Sequence, residues 1–396
     1  MNLRERLNRV QVGSRSGPIP VLFVIPSLDR GGAEGQLLAL ISRLDRTRFA
    51  PVLCSLHPPT PDRQREVSCP LVVLAVDSLF RWNAARATLR IARLASHLGV
   101  GLIHATFLRA ELMATAATRL GPRIPVVLAK RNLDARPYFR RERLLLRLAH
   151  RACDHIVANA EAVKQRLESL WNVSADKISV IYNGVDLRSF VPTSHETRAA
   201  AKRRLRIESD HTVVTILTHL THIKGADLAV EVAARVASVV PRVTFLIVGE
   251  GPLLEPLRHR IRGLALDGRI RLEGEAEHVI PYLAATDIGL LSSRSEGFPN
   301  AILEYIAMGL PTVATNVGGV SELLGENQEC GFVVQPGNPE ALANAIVTLA
   351  GQPALREQTG LRARLRAERC FGVERMVEKY EELYLRLILD ARGKPS

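Results

Sequence analysis

IGLLSSRSEGFPNAILEYIAMGLPTVATN, residues 288–316, switches between two periodicities. IGLLSS is a short continuous apolar run of the kind that a strand covered on both faces carries. Gly297 and Pro299 force a turn, and Asn300 stands where a helix cap belongs, ahead of AILEYIAM. Gly309-Leu310-Pro311 stops that helix, and TVATN resumes as a strand. Strand, helix and strand in so short a span read as one parallel crossover unit.

The same rhythm runs along the rest of the chain. VLFVIPSL (21–28), PVLCSL (51–56), LVVLAV (71–76), VGLIHAT (100–106), PVVLA (125–129), HIVANA (155–160) and ISVIYNG (178–184) read as strands, with helical stretches such as GQLLALISRL and AARATLRIARLASHLG between them. RSFVPTSHETRAAAKRRLRIESD (188–210) breaks the rhythm with Pro, Ser and charge. The pattern then restarts with TVVTILTHL, VTFLIVGEG, RIRLEG, IGLLSS, TVATN and GFVVQP. The predicted class is therefore α/β, two doubly wound Rossmann-like domains facing a central cleft, with ligands at the carboxyl ends of the strands. The expected boundaries are 1–190 for the first domain, 191–210 for a linker and 211–372 for the second domain. The helical segment 373–396 either closes the second domain or crosses back to the first.

At 396 residues, 47% apolar and 23% charged, the chain is a folded protein of more than one core. Five scattered cysteines form no Cys-x-x-Cys pair, which points away from zinc ribbons and disulfide frameworks and toward a reducing, cytoplasmic setting. No apolar run reaches the roughly 18 residues of a membrane span. The basic N-terminal stretch, residues 1–20, lacks the apolar centre of a signal peptide and reads as a lead-in to the first strand. The net charge of +13 is confined to one half: residues 1–191 hold 29 Lys and Arg against 15 Asp and Glu, whereas 192–396 hold 24 against 25. The first half is expected to face something anionic, a membrane surface, a phosphorylated substrate or a nucleic acid. RPYFRRERLLLRLAHR (136–151) concentrates this charge among leucines and aromatics. It reads either as a packing helix with a solvated arginine face or as a segment lying in a membrane interface.

Two carboxylates flank the turn in the opening stretch. Glu296 precedes the helix and Glu304 lies one turn inside it, roughly 12 Å apart if every step were helical. That span suits one ligand with two groups of hydroxyls better than one metal ion, and the free N–H groups of a helix start suit a phosphate. The window alone leaves open that Glu296 is a loop carboxylate and Glu304 a solvated helix residue.

The pattern S-x-x-E-G-F-P-N-x-x-x-E-Y-x-A-x-G-x-P, with V-x-x-I-Y-N-G-V-D (178–186), L-T-H-L-T-H-I-K-G-A-D (217–227), V-T-F-L-I-V-G-E-G-P (243–252) and the GGAEGQ loop after the first strand, resembles the retaining glycosyltransferases of family 4, which have the GT-B fold. The resemblance implies that Glu304 binds ribose hydroxyls, that Glu296 contacts the donor sugar, and that backbone amides from Gly297, Phe298 and Asn300 hold sugar and diphosphate. It also implies that Lys224 neutralises the diphosphate and that Gly31 and Gly32 let the first domain approach the donor. Two departures stand out. His219 occupies a position where arginine is usual, so diphosphate stabilisation is expected to be pH-dependent or shared with Arg131. The histidine usual after the fifth strand is missing; that strand end presents Lys130, Arg131 and Asn132, and Arg131 or Asn132 is left as its substitute. His104, at another strand end, reads as a satisfied histidine or a catalytic one.

Asp-x-Asp and any His/Cys cluster are absent, so neither metal nor cofactor is expected. The implied function is transfer of a sugar from a nucleotide diphosphate donor to a hydroxyl of a glycan or lipid-linked acceptor in polysaccharide or cell-envelope synthesis. The basic first domain would bind the acceptor, at the inner face of the cytoplasmic membrane and without nucleic acid. The alternatives are a sugar-nucleotide epimerase or phosphorylase of similar layout and, more remotely, a nucleic-acid-binding protein suggested only by the pI of about 10.1.

Overall fold

The structure, a computed structural model, describes residues 17–29, 31–76, 82–120, 123–132 and 139–393. Most of the N-terminal lead-in, and Arg136 and Tyr138 of the basic segment, lie outside these residues. The chain divides into two compact units, one formed by residues up to Tyr182 together with Glu374 onward, the other by Asn183–Val373.

The first unit is built on seven parallel strands: β1 (Ile19–Ile25), β2 (Phe49–Ser55), β3 (Leu71–Val73), β4 (Leu102–Thr106), β5 (Val126–Lys130), β6 (His155–Ala158) and β7 (Ile178–Val180). Their order is β3-β2-β1-β4-β5-β6-β7, so the winding reverses between β1 and β4. Every residue of β4, β5 and β6 is buried, as strands covered on both faces must be. The C-terminal helix Val373–Gly393 belongs to this unit almost throughout. Tyr380 and Tyr384 are fully buried, and Tyr384 lies edge-on to Phe23 and Phe49. Glu381 accepts the Asp45 backbone N–H at 2.7 Å and pairs with Arg48 at 3.2 Å.

The second unit repeats the plan with six parallel strands: β8 (Thr212–Leu217), β9 (Val243–Val248), β10 (Ile270–Gly274), β11 (Ile288–Leu291), β12 (Thr312–Thr315) and β13 (Gly331–Val334). The order β10-β9-β8-β11-β12-β13 puts its reversal between β8 and β11. Val214, Phe245, Ile247 and Leu290 from the sheet pack with Val232, Val236, Ile346 and Leu349 from the covering helices. All of this core is aliphatic or aromatic, which is why the strands read so plainly in the sequence.

The stretch expected as a linker is folded within this unit. Its Pro-Thr-Ser segment is the start of a helix, His195–Arg204, whose first turn is closed by Ser194 Oγ accepting the Thr197 N–H at 3.1 Å. Lys202 of that helix is buried and meets Asp287 at 2.8 Å. The polar residues that resembled a linker are thus a cap and a buried ion pair. The first and last residues of the unit run side by side: the Val185 N–H donates to Phe371 O at 2.8 Å and the Val373 N–H to Val185 O at 3.0 Å. Gly184 leaves no room for a Cβ against the Val373 backbone. Among the described residues no helix is long and apolar enough to cross a membrane.

Candidate active site

In the second unit the place where ligands gather in such sheets is the carboxyl end of β8 and β11. These two strands pair only through Ile288 with Val214 and Gly289 with Thr215. Beyond that point the fully buried Tyr305 takes over: its hydroxyl accepts the Leu217 N–H at 2.8 Å and donates to the Thr215 carbonyl at 3.1 Å. Its ring lies where a Cβ at residue 289 would be, so β11 needs Gly289 there. Tyr305 therefore satisfies backbone groups that the parted strands leave open.

Lys224 arrives on the loop after β8, and Glu296 on the loop after β11. Lys224 Nζ stands 2.7 Å from Glu296 Oε2, and Ser293 Oγ donates to Glu296 Oε1 at 2.7 Å, so both carboxylate oxygens are held. Glu296 is 9% exposed, whereas the Lys224 side chain is 36% exposed and reaches solvent. The sequence did not suggest this ion pair, which joins the two residues assigned to diphosphate and sugar.

Several ties fix the pair. Gly225 has φ +64°, and a Cβ there would overlap the Ser292 carbonyl. Ser292 Oγ donates to Gly225 O at 2.9 Å. One residue beyond Ser293, Arg294 forks onto Asp227 at 2.7 and 2.8 Å and also donates to the His222 carbonyl at 2.6 Å. The fork holds the Asp227 carboxyl below its usual range and raises the Arg294 guanidinium. On the other side, Gly318 (φ +53°) has backbone packed on the carbonyls of Glu296 and Gly297, and the Gly319 N–H donates to Gly297 O at 2.8 Å. Ser293, Tyr305 and Asp227 stood in the quoted patterns without a role, and Arg294 and Gly318 were not singled out from the sequence. The acid in the first turn of helix Ala226–Val239 was the one local hint.

The helix Asn300–Ala307 begins one residue earlier than expected. Asn300 is its first residue and not its cap; Pro299 holds the cap position without a side-chain hydrogen bond, since it has no polar group to offer. Asn300 Oδ1 instead accepts from Asn183 Nδ2 at 2.7 Å. The Phe298 side chain is buried edge-on to Phe371, so this residue offers a ligand its backbone alone. Glu304 is half-buried, one turn along the helix, and burial pushes its carboxyl up to about 7. Among the described residues it is neither fully solvated nor ion-paired.

His219 is exposed on the loop after β8. The neighbouring Gly249 and Gly251 pack directly on the backbone of Thr218 and Leu220. Their role is close loop packing.

The remaining candidates lie in the first unit. Gly31 is the N-cap of helix Gly32–Arg43, in extended conformation, with the Glu34 carboxylate folded back over the space a Cβ would fill. Burial raises the Glu34 carboxyl above its usual range, against the pull of its own backbone N–H. Arg131 is buried; its guanidinium donates to Tyr380 Oη at 3.3 Å, and its carbonyl accepts from Asn159 at 3.1 Å. Lys130 pairs with Glu111 at 2.5 Å, both buried, and Asn132 is exposed. His104 is fully buried, with Nδ1 at 2.6 Å from Tyr384 Oη; burial, helped by the Arg131 charge, lowers its pKa to about 3. It is a neutral core residue. Among the described residues no three His, Cys, Asp or Glu side chains are grouped to hold a metal ion.

Comparison with known proteins agrees with this layout. The family model for glycosyl transferases group 1 matches residues 211–352, and that for glycosyltransferase family 4 matches residues 30–189. The N-acetyl-alpha-D-glucosaminyl L-malate synthase of Bacillus anthracis is 24% identical over 249 residues, 63% of this chain and 64% of that protein. The UDP-Gal:alpha-D-GlcNAc-diphosphoundecaprenol alpha-1,3-galactosyltransferase of Escherichia coli is 29% identical over 217 residues, 54% of this chain and 55% of that protein. The chain thus spans less than two thirds of the length of either relative. The crystal structure of Anabaena HepE in complex with UDP and glucose superposes with a TM-score of 0.80 at 23% identity, over 92% of this chain and 98% of that one. The two parallel-sheet units are of the GT-B type. Since the two family models between them match most of the chain, one in each unit, the chain belongs to the glycosyltransferases of family 4.

Proposed function

We propose that the chain is a retaining glycosyltransferase that moves a sugar from a nucleoside diphosphate donor to an acceptor hydroxyl. The observation that carries this reading is the Lys224–Glu296 pair at the parted carboxyl ends of β8 and β11, with Glu304 one helical turn away. Glu304 accepts the two ribose hydroxyls, a task suited to a carboxylate. Glu296, steadied by Ser293, accepts hydroxyls of the hexose. Lys224 shares its charge between Glu296 and the diphosphate, together with backbone N–H groups at the start of helix Asn300–Ala307. The bond between the anomeric carbon and the β-phosphate oxygen breaks, the acceptor oxygen bonds to that carbon from the same face, and the departing phosphate takes the acceptor proton. Nucleoside diphosphate and the glycosylated acceptor are the products. His219 supplies a further hydrogen-bond donor to the diphosphate.

The acceptor falls to the first unit, whose excess of positive charge suits a lipid-linked or envelope glycan precursor. The same unit meets the membrane surface. Helix Arg140–Ala152 exposes Leu144 (60%) and Leu148 (50%), with Phe139 (78%) just before it, among Arg140, Arg141, Arg143, Arg147 and Arg151. UDP bound in the HepE crystal and the undecaprenol-linked acceptor in the name of the E. coli relative support UDP-sugars as first donors to try and polyprenol-linked glycans as first acceptors.

The test is a panel of sugar nucleotides scored first by thermal stabilisation and then by release of nucleoside diphosphate with a polyprenol diphosphate sugar. One donor is expected to raise the melting temperature and to turn over only when acceptor is present. Conversion of the donor sugar without acceptor would identify an epimerase, and a requirement for inorganic phosphate a phosphorylase; either result displaces transfer.

A further inference from the structure

The first unit carries a cavity at the end of its sheet opposite the strand carboxyl ends. It is formed where helices Arg140–Ala152 and Glu161–Trp171 finish and where β6 and β7 begin. The cavity holds about 480 Å³ and is lined by Arg147, Arg151, Lys177, His150, Trp171 and Asn172, among others. Two helix ends of this kind attract cations, and Lys177 answers that demand by donating to the Arg151 carbonyl at 2.8 Å. The guanidinium groups of Arg147 and Arg151 form no ion pair among the described residues. Asp176, the carboxylate in the adjoining turn, is engaged by the Ser174 hydroxyl.

His150 is the second observation. It is 3% exposed and edge-on to Trp171 at 5.3 Å, and neither of its ring nitrogens has a hydrogen-bond partner among the described residues. A buried donor without a partner is uncommon in a folded protein and points to an absent ligand atom. Two arginines without an ion pair, a lysine and a buried histidine line one space, a set suited to several acceptor oxygens on one centre. The volume exceeds what a bare anion fills and leaves room for a short polar substituent along Trp171.

We propose that this cavity is a binding site for a phosphoryl group carrying a small polyol, of glycerol phosphate size, distinct from the candidate active site. The exposed apolar face of helix Arg140–Ala152 makes a lipid headgroup one source and a soluble phosphate ester the other. The idea deepens the membrane-surface reading but stands on separate residues.

Trp171 reports occupancy directly, and Trp82→Phe makes it the single tryptophan. Glycerol 1-phosphate is expected to change its emission saturably. R147Q/R151Q should weaken that response about tenfold or more, whereas R140Q/R141Q, which removes the same charge from the other end of the helix, should change it less than about twofold. Equal losses in the two pairs, or no response in either background, overturn the proposal. Should Trp82→Phe fail to fold, broadening of the glycerol phosphate ³¹P resonance by the unaltered chain, with the same two arginine pairs compared, decides between the same outcomes. Vesicles of phosphatidylglycerol, set against phosphatidylcholine, then separate the sources. A Trp171 response at much lower phosphate concentration on the former supports the headgroup. A response to soluble phosphate without vesicle binding supports the cavity and overturns the membrane reading. Vesicle binding with identical losses in both arginine pairs does the reverse.

Discussion

Lys224 and Glu304 answer different questions about the same ligand. Lys224→Ala leaves Glu296 with Ser293 alone and removes a cation from the leaving group. Turnover is expected to fall by about 10²–10³, the usual loss when a charge-stabilising donor is removed, with a smaller change in KM. Wild-type turnover would remove Lys224 from the chemistry. With this protein cation proposed to do the neutralising, turnover in EDTA is expected to match turnover in Mg²⁺; a complete loss restored by Mg²⁺ would refute that assignment. Glu304 is held at a pKa of about 7 by burial, above its ordinary 4.5. Folding therefore favours its protonated form. The resulting cost is absent below pH 4.5, grows as pH rises toward 7, and is full above that, at up to about 3 kcal/mol. Glu304→Gln is expected to be more stable than wild type at pH 8, and equal to it at pH 4.5, in denaturant unfolding. Nucleotide affinity should fall in the variant, and in wild type it should weaken below about pH 7 as the carboxylate is lost. A calorimetric affinity unchanged by the substitution would end the ribose role.

The elements show what could be read from the chain and what could not. Every strand candidate overlaps an observed strand, because nearly all are apolar runs between turn residues, a signal that needs no partner to be seen. Glu296 and Glu304 drew attention by their spacing about one local turn, and Lys224 by the resemblance that its stretch carries. The Arg294–Asp227 fork and the Tyr305 hydroxyl were not, since each joins residues 67 and 88 positions apart and no local pattern records the pairing. The helix at His195–Arg204 was missed for the opposite reason: its cap and its buried Lys202 are polar, and polarity near proline reads as loop. Gly225 belongs at this scale too. Gly225→Ala sets a left-handed residue against the Ser292 carbonyl and is expected to cost about 2–4 kcal/mol while displacing Lys224. Denaturant unfolding within about 0.5 kcal/mol of wild type would show that the loop latch does not matter.

For the molecule as a whole, charge and chain path divide the labour. The excess of Lys and Arg lies before residue 191, whereas the candidate donor residues of the second unit lie in a nearly neutral stretch. On the proposed reading, recognition of an anionic acceptor or surface would vary with the first unit without disturbing the nucleotide end. The chain path permits a stronger statement. Residues 183–185 and 371–373 are hydrogen-bonded neighbours, so the second unit leaves the chain almost where it joined it. It has the form of an insert with its two ends already clasped, which a host sequence can lose or exchange without stretching. A polypeptide of residues 183–373 is expected to unfold as one cooperative transition and to bind UDP; a molten product would mean that the clasp needs its host. If it holds, donor preference becomes a cassette, transplantable between relatives by two cuts made beside Gly184 and Val373.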